Sequence, residues 1–203
     1  MTYSNKKKGN LHPDRDIQIL TGKIQVLCLN HDKIIEIDLG CGKGTFAIQL
    51  ALKYPERVIC ASDIMLGRLR KLRNKKENNK IENLFMLRVE SRNLIYDSLT
   101  DGSIDRIHIL CPDPWPKARH SARRLLCSDF IGRLATVLKP NGVVHFSTDE
   151  KKYFDFALEI FEISAIFKRN DELINDIKEI ETDFEKLWKV KGLEINKAGF
   201  IKI

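Results

Sequence analysis

Short apolar runs bounded by turn residues alternate along this chain with longer stretches of helical periodicity. Residues 33–39 (KIIEIDL) read as a buried strand and residues 45–53 as a helix. The same pattern predicts strands at 57–62 (RVICAS), 83–89 (NLFMLRV), 104–111 (IDRIHILC) and 143–148, and helices at 64–78, 121–138 and 151–163. The helix over 121–138 is expected to stop at Lys139-Pro140-Asn141-Gly142, a stop-and-turn signal. A helix at 184–190 and a strand at 199–203 close the chain. Alternation at this spacing means parallel strands joined by right-handed crossover helices, hence an open α/β sheet covered on both faces. Ligands of such sheets bind at the carboxyl ends of the strands, so the loops there carry the candidate chemistry.

The loop after the first strand reads Asp38-Leu39-Gly40-Cys41-Gly42-Lys43-Gly44-Thr45. It fails as a P-loop, because Gly42-Lys43 is followed by Gly44 where Ser or Thr is needed. It fits a dinucleotide fingerprint poorly, because Thr45 stands in the third glycine's place. A G-x-G-x-G loop with an acid two residues before it suits S-adenosylmethionine better. That ligand carries an ammonium and a sulfonium, which favour a carboxylate such as Asp38. Asp63 follows the second strand, where it can accept both ribose hydroxyls, and Glu90 follows the third, near an adenine edge. Each acid alone reads more readily as a helix cap; three at successive strand ends point to a bound cationic nucleoside.

After the fourth strand comes Pro112-Asp113-Pro114-Trp115-Pro116-Lys117-Ala118-Arg119-His120-Ser121-Ala122-Arg123-Arg124. Its prolines make a stiff loop that cannot pair as a central strand. Trp115 offers a stacking surface, and the cations that follow suit an anionic ligand such as RNA phosphate.

This block is similar to that of the bacterial tRNA (guanine-N7-)-methyltransferases. His145 to Asp149 (HFSTD) resembles that family's "TD" strand end, and Thr182-Asp183-Phe184-Glu185 its T-x-F-E tail signature. The resemblance runs from about residue 33 onward and is weak before Gly22. It implies a Rossmann-like class I fold with a central, mostly parallel, seven-stranded sheet. The implied reaction is methyl transfer from S-adenosylmethionine to N7 of guanine 46 in the tRNA variable loop. The resemblance puts Asp38, Gly40, Gly42, Asp63, Glu90 and Asp113 at the cofactor, with Asp113 also the catalytic residue. It puts Lys117, Asp149, Thr182, Asp183, Phe184 and Glu185 at the substrate. Glu90 stands where Asp is common, and Ala118, Ser121 and Ala122 replace residues that are often basic or polar. An amino-group methyltransferase of another nucleic-acid base fits less well, because Asp113-Pro114-Trp115 lacks a second proline. A non-catalytic RNA-binding protein is disfavoured by retention of the acids.

Composition sharpens the partner. Net charge is +7, and residues 1–149 carry 25 Lys/Arg against 16 Asp/Glu, whereas residues 150–203 carry 10 against 12. The field therefore attracts polyanions. Arg119, His120, Arg123 and Arg124 are candidate phosphate contacts. So are Arg68, Arg70 and Lys71 on the second helix, unless that face is simply solvated. The five cysteines form no Cys-x-x-Cys pair, so reduced thiols and no metal site are expected. Neither a bilayer-spanning run nor a secretory leader is evident, and the expected location is cytoplasmic. The 203 residues are expected to form one domain, with 1–21, including Lys6-Lys7-Lys8, a basic arm. The expected partner is tRNA, with no obligatory protein subunit, as a monomer or homodimer.

Overall fold

The structure, a computed structural model, describes residues 16–19 and 32–203. Continuous apolar runs with both faces buried belong in the middle of a parallel sheet. Here β2 (Ile35–Leu39) and β3 (Val58–Ser62) are buried at every position. They lie with β1 (Ile17–Ile19), β4 (Leu84–Arg88), β5 (Ile104–Leu110), β6 (Leu138–Thr148), β7 (Phe167–Arg169) and β8 (Asn196–Lys202) in one eight-stranded sheet. The order is β1-β4-β3-β2-β5-β6-β8-β7. β1 to β6 run parallel, while β8 is antiparallel to both neighbours. The order reverses between β2 and β5, which opens a crevice at their carboxyl ends.

The sheet has one strand more than the seven expected. β1 and β7, at its two edges, are three residues each with one buried side chain, too short to leave a periodic signal. β1 lies within the stretch read as an arm and pairs Ile17 with Met86. Lys6, Lys7, Lys8 and Cys28 lie outside the described residues.

Alternate strand residues serve two cores. Ile35, Ile37 and Leu39 face α4 (Ser128–Val137) and α5 (Lys151–Ser164). On the other face lie α1 (Thr45–Lys53), α2 (Leu66–Asn78) and a 3-10 segment, Asp171–Ile177. The helix expected over 121–138 is shorter than its pattern. Ala118–Arg123 form a 3-10 turn, and α4 begins only at Ser128. Between them the chain carries Leu126 into the core, where the Tyr153 hydroxyl accepts its N–H at 3.3 Å. The expected stop at 139–142 ends α4 but becomes a bulge in β6. Asn141 takes φ 61°, and the pairing jumps from Ile104↔Leu138 to Arg106↔Val143.

The α1-facing side of the sheet also buries a polar row. Glu36 accepts from His108 Nε2 at 2.8 Å and from Arg57 at 2.5 Å. With Nε2–H donating, His108 Nδ1 accepts from His145 Nδ1 at 3.1 Å, which leaves His145 Nε2 a buried acceptor without a partner. Burial alone would raise the Glu36 pKa, but His108, Arg106 and Arg57 outweigh it and hold it at about 2. Burial keeps both histidines neutral, with pKa values below their usual range. Because the Glu36 pKa is depressed, its contribution to stability is full above pH 4.5 and is lost as pH falls to about 2. Glu36→Gln removes the buried charge that pairs with Arg57 and Arg106, so urea unfolding at neutral pH should show a loss of about 3 kcal/mol.

Candidate active site

The chain leaves β2 through a loop that only glycine tolerates. Gly40, Gly42 and Gly44 have φ of 79°, 58° and 70°. A Cβ on Gly44 would lie 2.4 Å from Leu72 of α2, whereas the space beside Gly40 and Gly42 is open. Asp63 pins this loop: its Oδ2 accepts from the Gly42 N–H at 3.0 Å and from Arg68 at 3.2 Å. Its Oδ1 accepts from the Met65 N–H at 2.7 Å, at the start of α2. Lys75 Nζ donates to the Lys43 carbonyl at 3.0 Å and to Thr45 Oγ1 at 2.9 Å, so part of the basic face of α2 is spent on the loop.

Asp38, at the end of β2, is 2% exposed, and its Oδ2 has no hydrogen-bond partner among the described residues. Burial, and then the nearby Asp63, push its pKa up to about 7. A buried carboxylate oxygen without a partner, beside an open glycine edge, fits the ammonium of the cofactor that the resemblance implies. Glu90 caps the short α3 (Ser91–Asn93), accepting from Arg92 N at 2.7 Å and Asn93 N at 3.0 Å. It also borders the cleft, so the capping and ligand-facing readings hold together. The cleft has a volume of about 510 Å³, ample for a nucleoside.

Across the cleft stands the proline-rich loop. Asp113 is exposed to the cleft and makes no hydrogen bond or ion pair with any described residue. Cys111 and Trp115, on either side of it, take left-handed φ of 48° and 42°. Such conformations cost about 1–3 kcal/mol each in non-glycine residues and persist only where surrounding contacts impose them. Arg123 lies 5.0 Å from the Trp115 ring centroid, with His120 edge-on at 5.7 Å.

Thr182, Asp183 and Phe184 reach the same cleft at the start of α6 (Asp183–Val190). Thr182 and Glu185 form a capping box, with bonds of 3.0 and 2.6 Å. Glu185 is buried and pairs with Lys197 at 2.5 Å, whereas Phe184 is exposed. Asp183 accepts from Thr45 Oγ1 at 2.9 Å. Arg68 and Arg123 join the lining. Lys117, Arg119, Asp149, Arg70 and Lys71 are exposed on the surrounding surface without lining the cleft. Arg124 turns inward, its Nε donating to the Pro114 carbonyl at 3.0 Å. Sequence reasoning passed over Arg92, Lys43 and Cys111, which also line the cleft. Lys43 lies within the glycine loop, and only position, four residues and one residue past a strand end, marks Arg92 and Cys111.

The Asp38 pKa sets two expectations. If the Asp38 carboxylate takes the ammonium as the resemblance implies, calorimetric titration with S-adenosylmethionine should show affinity falling about tenfold per pH unit below 7. Asp38→Asn should abolish that dependence and bind weakly. The unfolded chain ionises this group near 3.8 and the folded one near 7, so stability of the ligand-free protein falls as pH rises between those values. Asp38→Asn should therefore melt higher than the parent protein at pH 8, with little difference at pH 4.

A family model described as "Putative methyltransferase" matches residues 32–198. A tRNA (guanine-N(7)-)-methyltransferase of Ureaplasma urealyticum is 30% identical over 196 residues, covering 91% of this chain and 87% of that protein. The Thermotoga maritima enzyme of the same name is 32% identical over 78% of this chain and 50% of its own length. A Neisseria meningitidis enzyme of that name is 40% identical over 64% of this chain and 54% of its own length. The chain thus spans about half the length of those last two relatives. The structure of the 16S rRNA methyltransferase KamB superposes with a TM-score of 0.60 at 14% identity, covering 85% of this chain and 88% of that one. An rRNA methylase from Streptococcus thermophilus gives 0.55 at 18% identity, again over 85% and 88%. These two likenesses establish the class I methyltransferase fold. With the family model spanning most of its length and the Ureaplasma protein matched over nine-tenths of it, this chain belongs to the tRNA (guanine-N(7)-)-methyltransferase family.

Proposed function

We propose that this protein transfers a methyl group from S-adenosylmethionine to N7 of guanine 46 in the tRNA variable loop, forming 7-methylguanosine. One observation carries the reading: an acidic, glycine-edged wall and the Asp113–Trp115 loop face each other across a single cleft. S-adenosylmethionine supplies a methyl group on a cationic sulfur. Asp38 binds the ammonium, the one Asp63 lone pair left free by Gly42, Arg68 and Met65 accepts a ribose hydroxyl, and Glu90 borders the adenine. Gly40 and Gly42 let the ligand approach the backbone.

Guanine N7 carries a lone pair and no proton, so no general base has to act on the nucleophile. The work left to the chain is orientation and charge stabilisation. Asp113, with no partner among the described residues, holds the guanine edge and stabilises the positive charge that moves onto the purine. Trp115 and Phe184 offer aromatic surfaces to an unstacked base. Thr182 and Asp183 border the base, while Glu185 fixes the start of α6 and acts on substrate through it. Asp149, whose charge reaches Cys111 from the end of β6, contacts the guanine or holds nearby groups. Lys117, Arg119, His120 and Arg123, with Arg68, Arg70 and Lys71, supply phosphate contacts. We infer that the chain works as one catalytic domain in the cytoplasm, as a monomer or homodimer without an obligatory partner. Among the described residues no helix is long and apolar enough to cross a membrane.

The test is methyl transfer to an unmodified tRNA transcript, read by nucleoside mass spectrometry. New 7-methylguanosine is expected, lost when the variable-loop guanine is replaced. Asp113→Ala should lower kcat by about 10²–10³-fold. A different methylated nucleoside would overturn the substrate assignment.

A further inference from the structure

Two arginines connect the walls of the cleft. Arg92 follows Glu90 on α3, and Glu90 caps that helix by accepting the Arg92 N–H. The Arg92 guanidinium crosses to the basic segment, donating to the Arg124 carbonyl at 2.6 Å and to Cys127 Sγ at 3.7 Å. Arg124 in turn lies over Tyr153 and Phe156, 5.4 and 5.1 Å from the ring centroids. Its Nε donates to the Pro114 carbonyl at 3.0 Å. Pro114 separates Asp113 from Trp115, and Trp115 is a bulky residue in the left-handed region. Such a conformation needs contacts that impose it. The Pro114 carbonyl belongs to the peptide group that enters Trp115, so a donor held on it acts directly on the strained residue. The Arg124 side chain is that donor.

We propose that Arg124, braced by Arg92, is a positioning residue that holds Asp113 and Trp115 in catalytic register, and is not a phosphate contact. The inference rests on the methyl-transfer reading above for its kinetic consequences, but not for its structural one. A planar guanidinium laid on two rings with Nε directed at one carbonyl is a geometry that lysine cannot reproduce. A phosphate contact, by contrast, tolerates lysine and contributes about one to the slope of log affinity against log salt.

The experiment compares Arg124→Lys and Arg124→Ala with the parent enzyme. Both variants are expected to lose about ten- to a hundredfold in kcat, with the tRNA KM and the salt slope of tRNA binding unchanged. Retained kcat in Arg124→Lys, or a slope lowered by about one in Arg124→Ala, would overturn the proposal. A second readout is independent of activity. Trp115 and Trp188 are the only tryptophans, so Trp188→Phe leaves Trp115 as the sole reporter. In that background Arg124→Lys should raise acrylamide quenching of Trp115 at an unchanged melting temperature, and unaltered quenching would overturn the proposal. If the Arg124 variants do not fold, Arg92→Met should give the same quenching change in weaker form, and unaltered quenching there too would overturn it. A parent enzyme that makes no 7-methylguanosine while the quenching change appears would sink the methyl-transfer reading and leave the brace standing.

Discussion

Burying a carboxylate oxygen without a hydrogen-bond partner is unfavourable, and the architecture of this protein converges on one such atom, Oδ2 of Asp38. The strain is contained by the order of the sheet. β2 lies between β3 and β5, so its end opens into the crevice where the strand order reverses. Asp63, from the end of β3, bends the glycine loop back by holding the Gly42 N–H. Its own charge then adds to the pressure that lifts the Asp38 pKa. On the proposed reading, a bound cation relieves both acids, and the cost of the ligand-free site is the source of its affinity.

The opposite wall is held by different physics. Asp113 has no partner among the described residues, and the backbone on either side of it takes left-handed conformations at Cys111 and Trp115. Cys111 donates its N–H to the Ser147 carbonyl of β6, and Arg124 donates to the Pro114 carbonyl just before Trp115. The basic block therefore divides in two. Lys117, Arg119 and Arg123 are exposed, while Arg124 faces the protein.

Membership in the family explains why these walls occur together, but the residues also show local solutions. Glu36, His108 and His145 form a buried chain beneath α1, with Phe46 edge-on to His108 at 4.8 Å. His108 is the register partner of Asp38, so this polar row runs into the site. It fixes the relative positions of β2, β5 and β6 where apolar packing alone would allow more freedom.

Much of this was legible in the linear order of residues. Apolar runs of strand length fix which segments are central, and loops after parallel strands face one end of the sheet for simple chain-geometric reasons. The glycine loop, Asp63, Glu90 and the Pro-Asp-Pro-Trp segment were therefore placed by sequence alone. Edge strands β1 and β7 were not, because three residues paired through the backbone need no side-chain periodicity. Nor was the break before α4, since the burial of Leu126 overrides a helical pattern. The direction in which each cation points was equally out of reach. Arg123 and Arg124 are neighbours with the same charge, and only the packing of Tyr153, Phe156 and the Pro114 carbonyl sends one to the cleft and the other inward. Sequence determines which chemistry is present and at which end of the sheet; long-range packing decides which atoms remain free to use it.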